Sequence, residues 1–344
     1  MTASNKSSRP RRALVCGIGG QDGAWLASLL LSKGYEVTGT SRDANVVNRD
    51  GLRSLGIADQ VRILSMVPGD FRTVLRTVTR SEPDEIYNLA GQTSVGLSFE
   101  QPVEAIESVS IGTLNLLEAM RHVGRPTRFY NAGSSECFGD TGSDVANEAT
   151  PFRPRSPYAV AKVCAQNLVT NYRDAYSLFA CTGILFNHES PLRPTHFVTQ
   201  KIVRAAARIA AGAPERLCLG NIDIHRDWGW APEYVEAMWL MLQQDVPDDF
   251  VIATGRTVSL EYFVERAFAH FGLDWRAHVQ IDQSLMRPSD IREGKGDPSK
   301  ARAQLGWQAR TDVDGVIRAM CVAATPSVQR VGASTLPDIG RLAA

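Results

Sequence analysis

The sequence predicts an α/β protein: a doubly wound parallel sheet with helices on both faces, followed by a smaller C-terminal α/β lobe. Three observations predict it. Short apolar, β-leaning runs alternate with helical-period segments from residue 13 to residue 187. The first run breaks into glycines that open a helix, and beyond Asn187 the alternation loosens. Strands alternating with helices of these lengths require crossovers that return the chain to the same end of the sheet, which makes it parallel.

Each element follows from local pattern. ALVCGI (13–18) is the first strand, and DGAWLASLLLSKG after it carries apolar residues at helical spacing and stops at Gly34. YEVTGTS and RILSMV are the next two strands. A helix over about 71–81 leads to the strand EIYNLA, and a long helix over about 102–123 leads to the strand TRFYNAGS. SPYAVAKVCAQNLVTNYRDAY is a helix and CTGILFN a strand. HESPLRPTH is a Pro-rich loop, and FVTQKIVRAAARIAAG a helix. The expected division is a sheet domain over 12–186, a second lobe over 187–323 with segments interchanged, and loosely ordered tails at 1–11 and 324–344.

Bulk properties exclude several function classes. The 344 residues carry 37 Lys plus Arg against 37 Asp plus Glu, a formal net charge of zero. That balance gives no general reason to expect nucleic acid or a membrane surface as partner, so an anionic ligand must be held by local arginines. Six cysteines are scattered without a CxxC pair, and six histidines form no HxxxH pair. Zinc and disulfides are therefore not expected, and reduced thiols fit a cytoplasmic setting. The polar start MTASNKSSRPRR is not a secretory signal, and nothing approaches an 18-residue apolar run.

The glycines after the first strand, Gly17, Gly20 and Gly23, have GxxGxxG spacing, with Gly19, Gln21 and Asp22 between them. In a strand–turn–helix context such glycines let backbone approach a pyrophosphate, while the helix N-terminus supplies free N–H groups. This makes the sheet domain a Rossmann-type dinucleotide site. Arg42, past the second strand, suits a 2′-phosphate and favours NADP. Asp43 beside it keeps NAD in view, and a solvated arginine at a strand end is the plainer alternative for Arg42.

Tyr158 and Lys162 stand at i and i+4 on one helix face. An ammonium near a phenol is expected to lower the phenol pKa from about 10 toward neutrality. Tyr158 thereby becomes a candidate acid/base for hydroxyl–ketone interconversion. YxxxK alone is common; behind a phosphate loop and a serine ending the preceding strand, it carries weight. That serine lies in AGSSECFGD (132–140), where Ser134, Ser135, Glu136 and Cys137 compete for a role. No His or Asn constellation supports Cys137 as a nucleophile, so a packing role is expected for it.

GIGGQDG, PDEIYNLAGQ, SSECFG, PFRPRSPYAVAK, LFNHESPLR, FVTQKI, LGNIDIHRDWG and DPSKARAQLGW occur in order over about residues 13–320. Together they resemble the extended short-chain dehydrogenase/reductases acting on nucleotide-sugars, and within them the GDP-mannose 4,6-dehydratase family. The resemblance implies catalytic roles for Ser134, Glu136, Tyr158 and Lys162. It implies cofactor contacts at Gly17, Gly19, Gly20, Gln21, Asp22, Gly23, Arg42, Leu89, Ala90, Gln92, Thr93, Tyr158, Lys162, His188 and Arg193. It implies substrate contacts at Ser94, Ser135, Glu136, Asn187, Val198, Lys201, Cys218, Gly220, Arg226 and Arg287. It departs from the family pattern at Gly19, Asp43, Val67, Leu192 and Asp290.

The activity so implied is that of a hydro-lyase in deoxysugar biosynthesis. GDP-mannose would become GDP-4-keto-6-deoxymannose plus water, with hydride passing internally through NADP and no net redox change. Glu136 carries the distinction, because oxidation at C4 alone needs only the serine, tyrosine and lysine. The rivals are dehydration of another GDP-sugar such as a heptose, an NAD(P)H-dependent reductase or epimerase of GDP-4-keto-6-deoxy sugars, and a cofactor-sensing regulator. A homo-oligomer, dimer or tetramer, is also implied.

Overall fold

The computed structural model describes residues 9–325. Strand β1 (Arg12–Cys16) ends where Gly17 turns at φ +87°, two residues sooner than the apolar run suggests. Its residues alternate between two buried layers. Ala13 and Val15 pack with Leu26 and Leu30 of helix α1 (Gln21–Ser32). Leu14 and Cys16 pack with Val74 and Val78 of α2 (Phe71–Ser81) and with Leu116 and Met120 of α3 (Gly112–Val123). Both faces are therefore covered, as a parallel sheet requires, and each fully buried aliphatic side chain contributes about 1.5–3 kcal/mol.

The remaining strands are β2 (Glu36–Ser41), β3 (Arg62–Ser65), β4 (Glu85–Asn88), β5 (Arg128–Ala132), β6 (Ala180–Leu185), β7 (Asn187–Glu189), β8 (Leu217–Leu219), β9 (His225–Trp230), β10 (Phe250–Ile252), β11 (Thr257–Ser259) and β12 (Val279–Ile281). The main sheet has the order β10-β6-β5-β4-β1-β2-β3, with every pairing parallel. The order reverses between β1 and β4. Ligands of open α/β sheets bind at that point, outside the carboxyl ends of the strands.

Five further helices frame the molecule: α4 (Pro157–Tyr176), α5 (Val198–Ala210), α6 (Ala231–Met241), α7 (Leu260–His270) and α8 (Val313–Ala324). A second core gathers Ile202 and Ala206 of α5, Trp228 of β9, Phe263 and Phe268 of α7, and Ile317 of α8. The small sheets β11-β9-β7 and β12-β8 belong to this part. Two later segments cross back: β10 pairs with β6 at the edge of the main sheet, and Tyr234 and Met238 of α6 join the core around α1.

Two expectations need adjusting. The run over 102–123 is continuous, but it widens into a π-helical stretch at Ile106–Ile111 between Pro102–Ala105 and α3. The widening is packed on both sides. Val109 lies where a Cβ on Gly91 would stand 2.7 Å away, and Ser110 Oγ donates to the Ala161 carbonyl of α4 at 3.0 Å. The few described residues of the expected tails are also held in place. Arg9 makes a two-pronged ion pair with Asp84, Arg11 bonds Glu85 and Gln243, and Ala324 closes α8. The rest of both tails, 1–8 and 326–344, lies outside the described residues. Among the described residues no helix is long and apolar enough to cross a membrane.

Candidate active site

A cavity of about 400 Å³ opens at the carboxyl ends of the central strands. On its sheet side the loop after β1 is shaped by steric necessity. A Cβ on Gly17 would lie 2.9 Å from the Leu89 carbonyl oxygen of the loop after β4, and one on Gly23 would lie 2.4 Å from Gly17 O. Glycine alone lets the two loops and the helix start meet at the sheet's reversal. Gly20 caps α1 without any side-chain hydrogen bond, leaving the first-turn N–H groups to an outside acceptor.

The loop after β5 holds the contested motif. Gly133 N donates to Gly183 O at 2.8 Å, and a Cβ there would lie 2.7 Å from Thr182 Cγ2. Ser134 caps the single 3₁₀ turn Ser135–Phe138, its Oγ accepting from Glu136 N at 3.3 Å. The hydroxyl hydrogen is thereby left to point elsewhere. Gly139 closes the turn at φ +70°. Ser134, Ser135 and Glu136 all line the cavity. Cys137 faces inward, fully buried, with burial pushing its thiol up to about 12. It is a core residue, as expected.

Tyr158 and Lys162 reach the same cavity from α4, whose start is set by the Ser156 cap (Oγ from Ala159 N, 3.1 Å) and by Pro157 in the first turn. Lys162 Nζ donates to Ala132 O at 2.7 Å and lies 5.7 Å from the Tyr158 ring centroid. The expected effect of the lysine on the phenol is not what this geometry gives. Burial pushes the Tyr158 phenol above its ordinary range, and the group that pulls it back most is the Ser134 hydroxyl. Burial also lowers Lys162, to about 8. One N–H of the ammonium goes to Ala132, and the hydrogen bond from Ser134 does more than any other group to favour the phenolate, with Arg193 second.

Glu136 stands opposite two arginines. Burial raises its carboxyl above the usual range, Arg226 and then Arg287 pull it down, and Asp290 pushes it up. Asp290 Oδ1 lies 3.4 Å from Arg226 and 3.5 Å from Arg287, so one carboxylate holds both guanidinium groups at the cavity wall. Asp290 was expected only as a departure from a family glutamate; an acid three residues after Arg287 in RPSD was the available signal.

The other predicted residues divide into two sets. Asp22, Leu89, Thr93, Ser94, Asn187, His188, Arg193, Val198, Lys201, Cys218 and Gly220 line the cavity. Gly17, Gly19, Gly20, Gln21, Gly23, Arg42, Ala90 and Gln92 do not. Gln21 is buried and spends its amide on the His188 carbonyl and Ser190 Oγ, so only its backbone remains for a ligand. Ala90 packs beneath the sheet. Arg42, 77% exposed at the end of β2, pairs with Glu104 at 3.4 Å. Gln92 donates to Ser94 O while its Oε1 is buried without a partner. Leu219, Trp228, Leu260 and Met286 also line the cavity; Leu219 and Trp228 fall within the LGNIDIHRDWG motif, but an apolar side chain there carries no signal of a ligand contact.

A nicotinamide dinucleotide fits this arrangement. The uncapped start of α1 and the glycine cradle are what a bound pyrophosphate would use. Among the described residues no cluster of His, Cys, Asp or Glu is arranged to hold a metal ion.

Comparison with known proteins decides the family. The family described as GDP-mannose 4,6 dehydratase matches residues 14–320. The chain belongs to the GDP-mannose 4,6-dehydratase family. GDP-mannose 4,6 dehydratase 1 of Arabidopsis thaliana is 45% identical over 323 residues, covering 91% of this chain and 89% of that protein. The Homo sapiens GDP-mannose 4,6 dehydratase is 41% identical over 345 residues, 93% of each chain. Among solved structures, Thermus thermophilus UDP-glucose 4-epimerase in complex with NAD superposes with a TM-score of 0.81 at 25% identity, over 92% of this chain and 100% of that one. Bacillus anthracis dTDP-glucose 4,6-dehydratase with NAD gives a TM-score of 0.79 at 17% identity, over 91% and 96%, a likeness of fold. Within the dehydratase family, the pairing of Glu136 with Ser134, Tyr158 and Lys162 in one cavity is the feature with chemical content.

Proposed function

We infer that this chain is a GDP-mannose 4,6-dehydratase, a hydro-lyase that converts GDP-mannose to GDP-4-keto-6-deoxymannose and water. The observation that carries the reading is Glu136: a partly buried carboxylate in the same cavity as Ser134 and Tyr158. Family membership over residues 14–320 supports it. A bound nicotinamide cofactor would supply reversible hydride exchange between sugar C4 and C6, with none consumed.

The chain's own residues do the rest. Tyr158 takes the C4 hydroxyl proton while Ser134 hydrogen-bonds the same oxygen, and Lys162 holds the pocket floor through Ala132. The resulting 4-ketone acidifies the C5 proton, which Glu136 removes. Its burial-raised pKa makes it a better base than a solvated glutamate and lets the same group, once protonated, help the C6 hydroxyl leave as water. Arg226 and Arg287 face the cavity as partners for the sugar diphosphate, since guanidinium binds phosphate oxygens in pairs. Arg42 favours NADP over NAD at the ribose. A cytoplasmic homo-oligomer completes the reading.

The test is direct. The purified protein is incubated with GDP-mannose and catalytic NADP⁺, and the product mass is followed for loss of one water. Turnover of many equivalents per cofactor is expected. Loss of water only from another GDP-sugar would redirect the substrate, and stoichiometric NADPH consumption would replace the lyase by a reductase.

A further inference from the structure

His188 on β7 stacks on Tyr234 of α6, ring centroids 4.5 Å apart and planes 21° from parallel. Both of its ring nitrogens face oxygen. Nδ1 lies 2.7 Å from the Phe186 carbonyl, and Nε2 lies 2.9 Å from Asp22 Oδ2 in the first turn of α1. A carbonyl only accepts, so Nδ1 carries hydrogen. A second proton must lie between Nε2 and the carboxylate, because two lone pairs at that distance would repel.

Three features put that proton on the ring. Asp22 Oδ1 accepts from Gln21 Nε2 at 3.1 Å, which an ionised carboxylate does better than a neutral acid. The start of a helix favours an anion. Arg193 is a second cation that draws Asp22 toward its ionised form, while it also opposes charge on the ring. Burial opposes charge on both members, yet their mutual attraction holds Asp22 below the usual carboxylate range and His188 above that of a free histidine.

This pair stands where the phosphate loop begins. Asp22 lines the cavity, and an uncompensated carboxylate there would repel an anionic dinucleotide. We propose that His188 is a positioning residue for the cofactor: a buried imidazolium that cancels the charge of Asp22 and fastens the phosphate-loop helix to β7. The proposal rests on the dinucleotide reading given above. Gln21 strengthens the fastening, donating to the His188 carbonyl while accepting from Ser190 Oγ, which in turn accepts from Trp25 Nε1 of the same helix.

The charged groups around the imidazole are few. Asp22 comes from α1, Glu189 and Arg193 from β7 and the loop beyond it, and Lys162 of α4 acts on Asp22. Glu189 is occupied by Arg193 at 3.3 Å and by Thr199 at 2.8 Å, and α6 presents the Tyr234 ring. The sign follows from the two directions. With its folded pKa raised, the His188 contribution is complete below the unfolded histidine pKa of about 6.5 and disappears as pH rises through the folded value. With its folded pKa depressed, the Asp22 contribution is present above about 3.9 and disappears as pH falls through its own folded value. The fastening is whole between the two.

Two measurements on the full-length protein test this. Two-bond proton–nitrogen NMR correlations of the cofactor-free protein, assigned with His188→Gln, are expected to show both His188 nitrogens protonated at neutral pH. A neutral tautomer overturns the proposal. NADP⁺ affinity by calorimetry is then compared in the wild type, His188→Phe and the double variant Asp22→Asn/His188→Phe. Phenylalanine keeps the stack and takes from Asp22 its hydrogen-bonded cation, leaving only the attraction of Arg193 and Lys162, so affinity should fall about tenfold at low salt. The double variant should regain most of it, and its affinity should not vary with pH where the wild type weakens toward alkaline pH. A double variant as weak as the single one reduces His188 to a packing role and sinks the electrostatic argument. If His188→Phe does not fold, His188→Gln with and without Asp22→Asn carries the same comparison. Should the wild type bind no NADP⁺, the dinucleotide reading fails, and the NMR result alone decides the charge of His188.

Discussion

Among the four side chains of SSEC, burial and direction separate what residue type could not. Cys137 points into the core with its thiol pushed up to about 12, so it carries almost no thiolate at neutral pH. Alkylating reagents should leave Cys137 itself unmodified in the folded protein, and Cys137→Ala should cost roughly 1–2 kcal/mol of stability with kcat nearly unchanged, measured by denaturant unfolding and turnover. Glu136→Gln should behave in the opposite way. Stability should hold while dehydration falls by about 10²–10⁴-fold, because the amide cannot take the C5 proton; full turnover in that variant would remove Glu136 from the mechanism. The shared helix face of Tyr158 and Lys162 was legible from spacing, and its weight from the phosphate loop and serine before it, but its electrostatics were not. Spacing reports that two side chains share a helix face. It does not report that the lysine's hydrogen bond goes to Ala132, or that Ser134 is what tempers the phenol.

Where elements depart from their local pattern, the causes are steric and tertiary. β1 was over-extended by two residues because an apolar Ile18 continues the pattern after Gly17 has already turned the chain. The π-helical stretch at Ile106–Ile111 was invisible, since one extra residue in a turn barely disturbs a helical period while tertiary packing at Gly91 and Ala161 demands it. Glycine positions were the most informative. Gly17→Ala would set a Cβ 2.9 Å from Leu89 O at positive φ, so it should destabilise the loop by about 1–3 kcal/mol. Calorimetry should show NADP⁺ affinity falling more than tenfold, because this loop is where a pyrophosphate would lie. Retained affinity would mean that the cofactor does not lie across it.

At the scale of the whole molecule, the parallel sheet followed from alternation, and its order gives the cavity a location that no single motif supplies. What alternation could not supply was the return of α6 and β10 to the main sheet. Both follow a Pro-rich loop and a separate helix, and nothing local in FVI marks it as the partner of β6. The approach of Asp290 to Arg226 is another long-range event of this kind, spanning 64 residues. It yields a prediction at this scale. Asp290→Asn removes the carboxylate shared by two cavity arginines, so the acidic limb of kcat against pH should move to lower pH as Glu136 feels both guanidiniums undiminished. An unmoved limb would mean that Asp290 does not act on Glu136.

The placement of β10 also sets a timetable. During synthesis β6 leaves the ribosome with one edge bare, and its partner Phe250–Ile252 is made only after the whole α5-to-α6 excursion. Until then the nascent chain carries an open parallel edge of buried-type residues, the kind of surface on which chains stick to one another. A chain ending at residue 245 should therefore accumulate in the insoluble fraction when expressed, whereas one ending at residue 325 should not. For this fold, finishing the far lobe is a condition for sealing the near one.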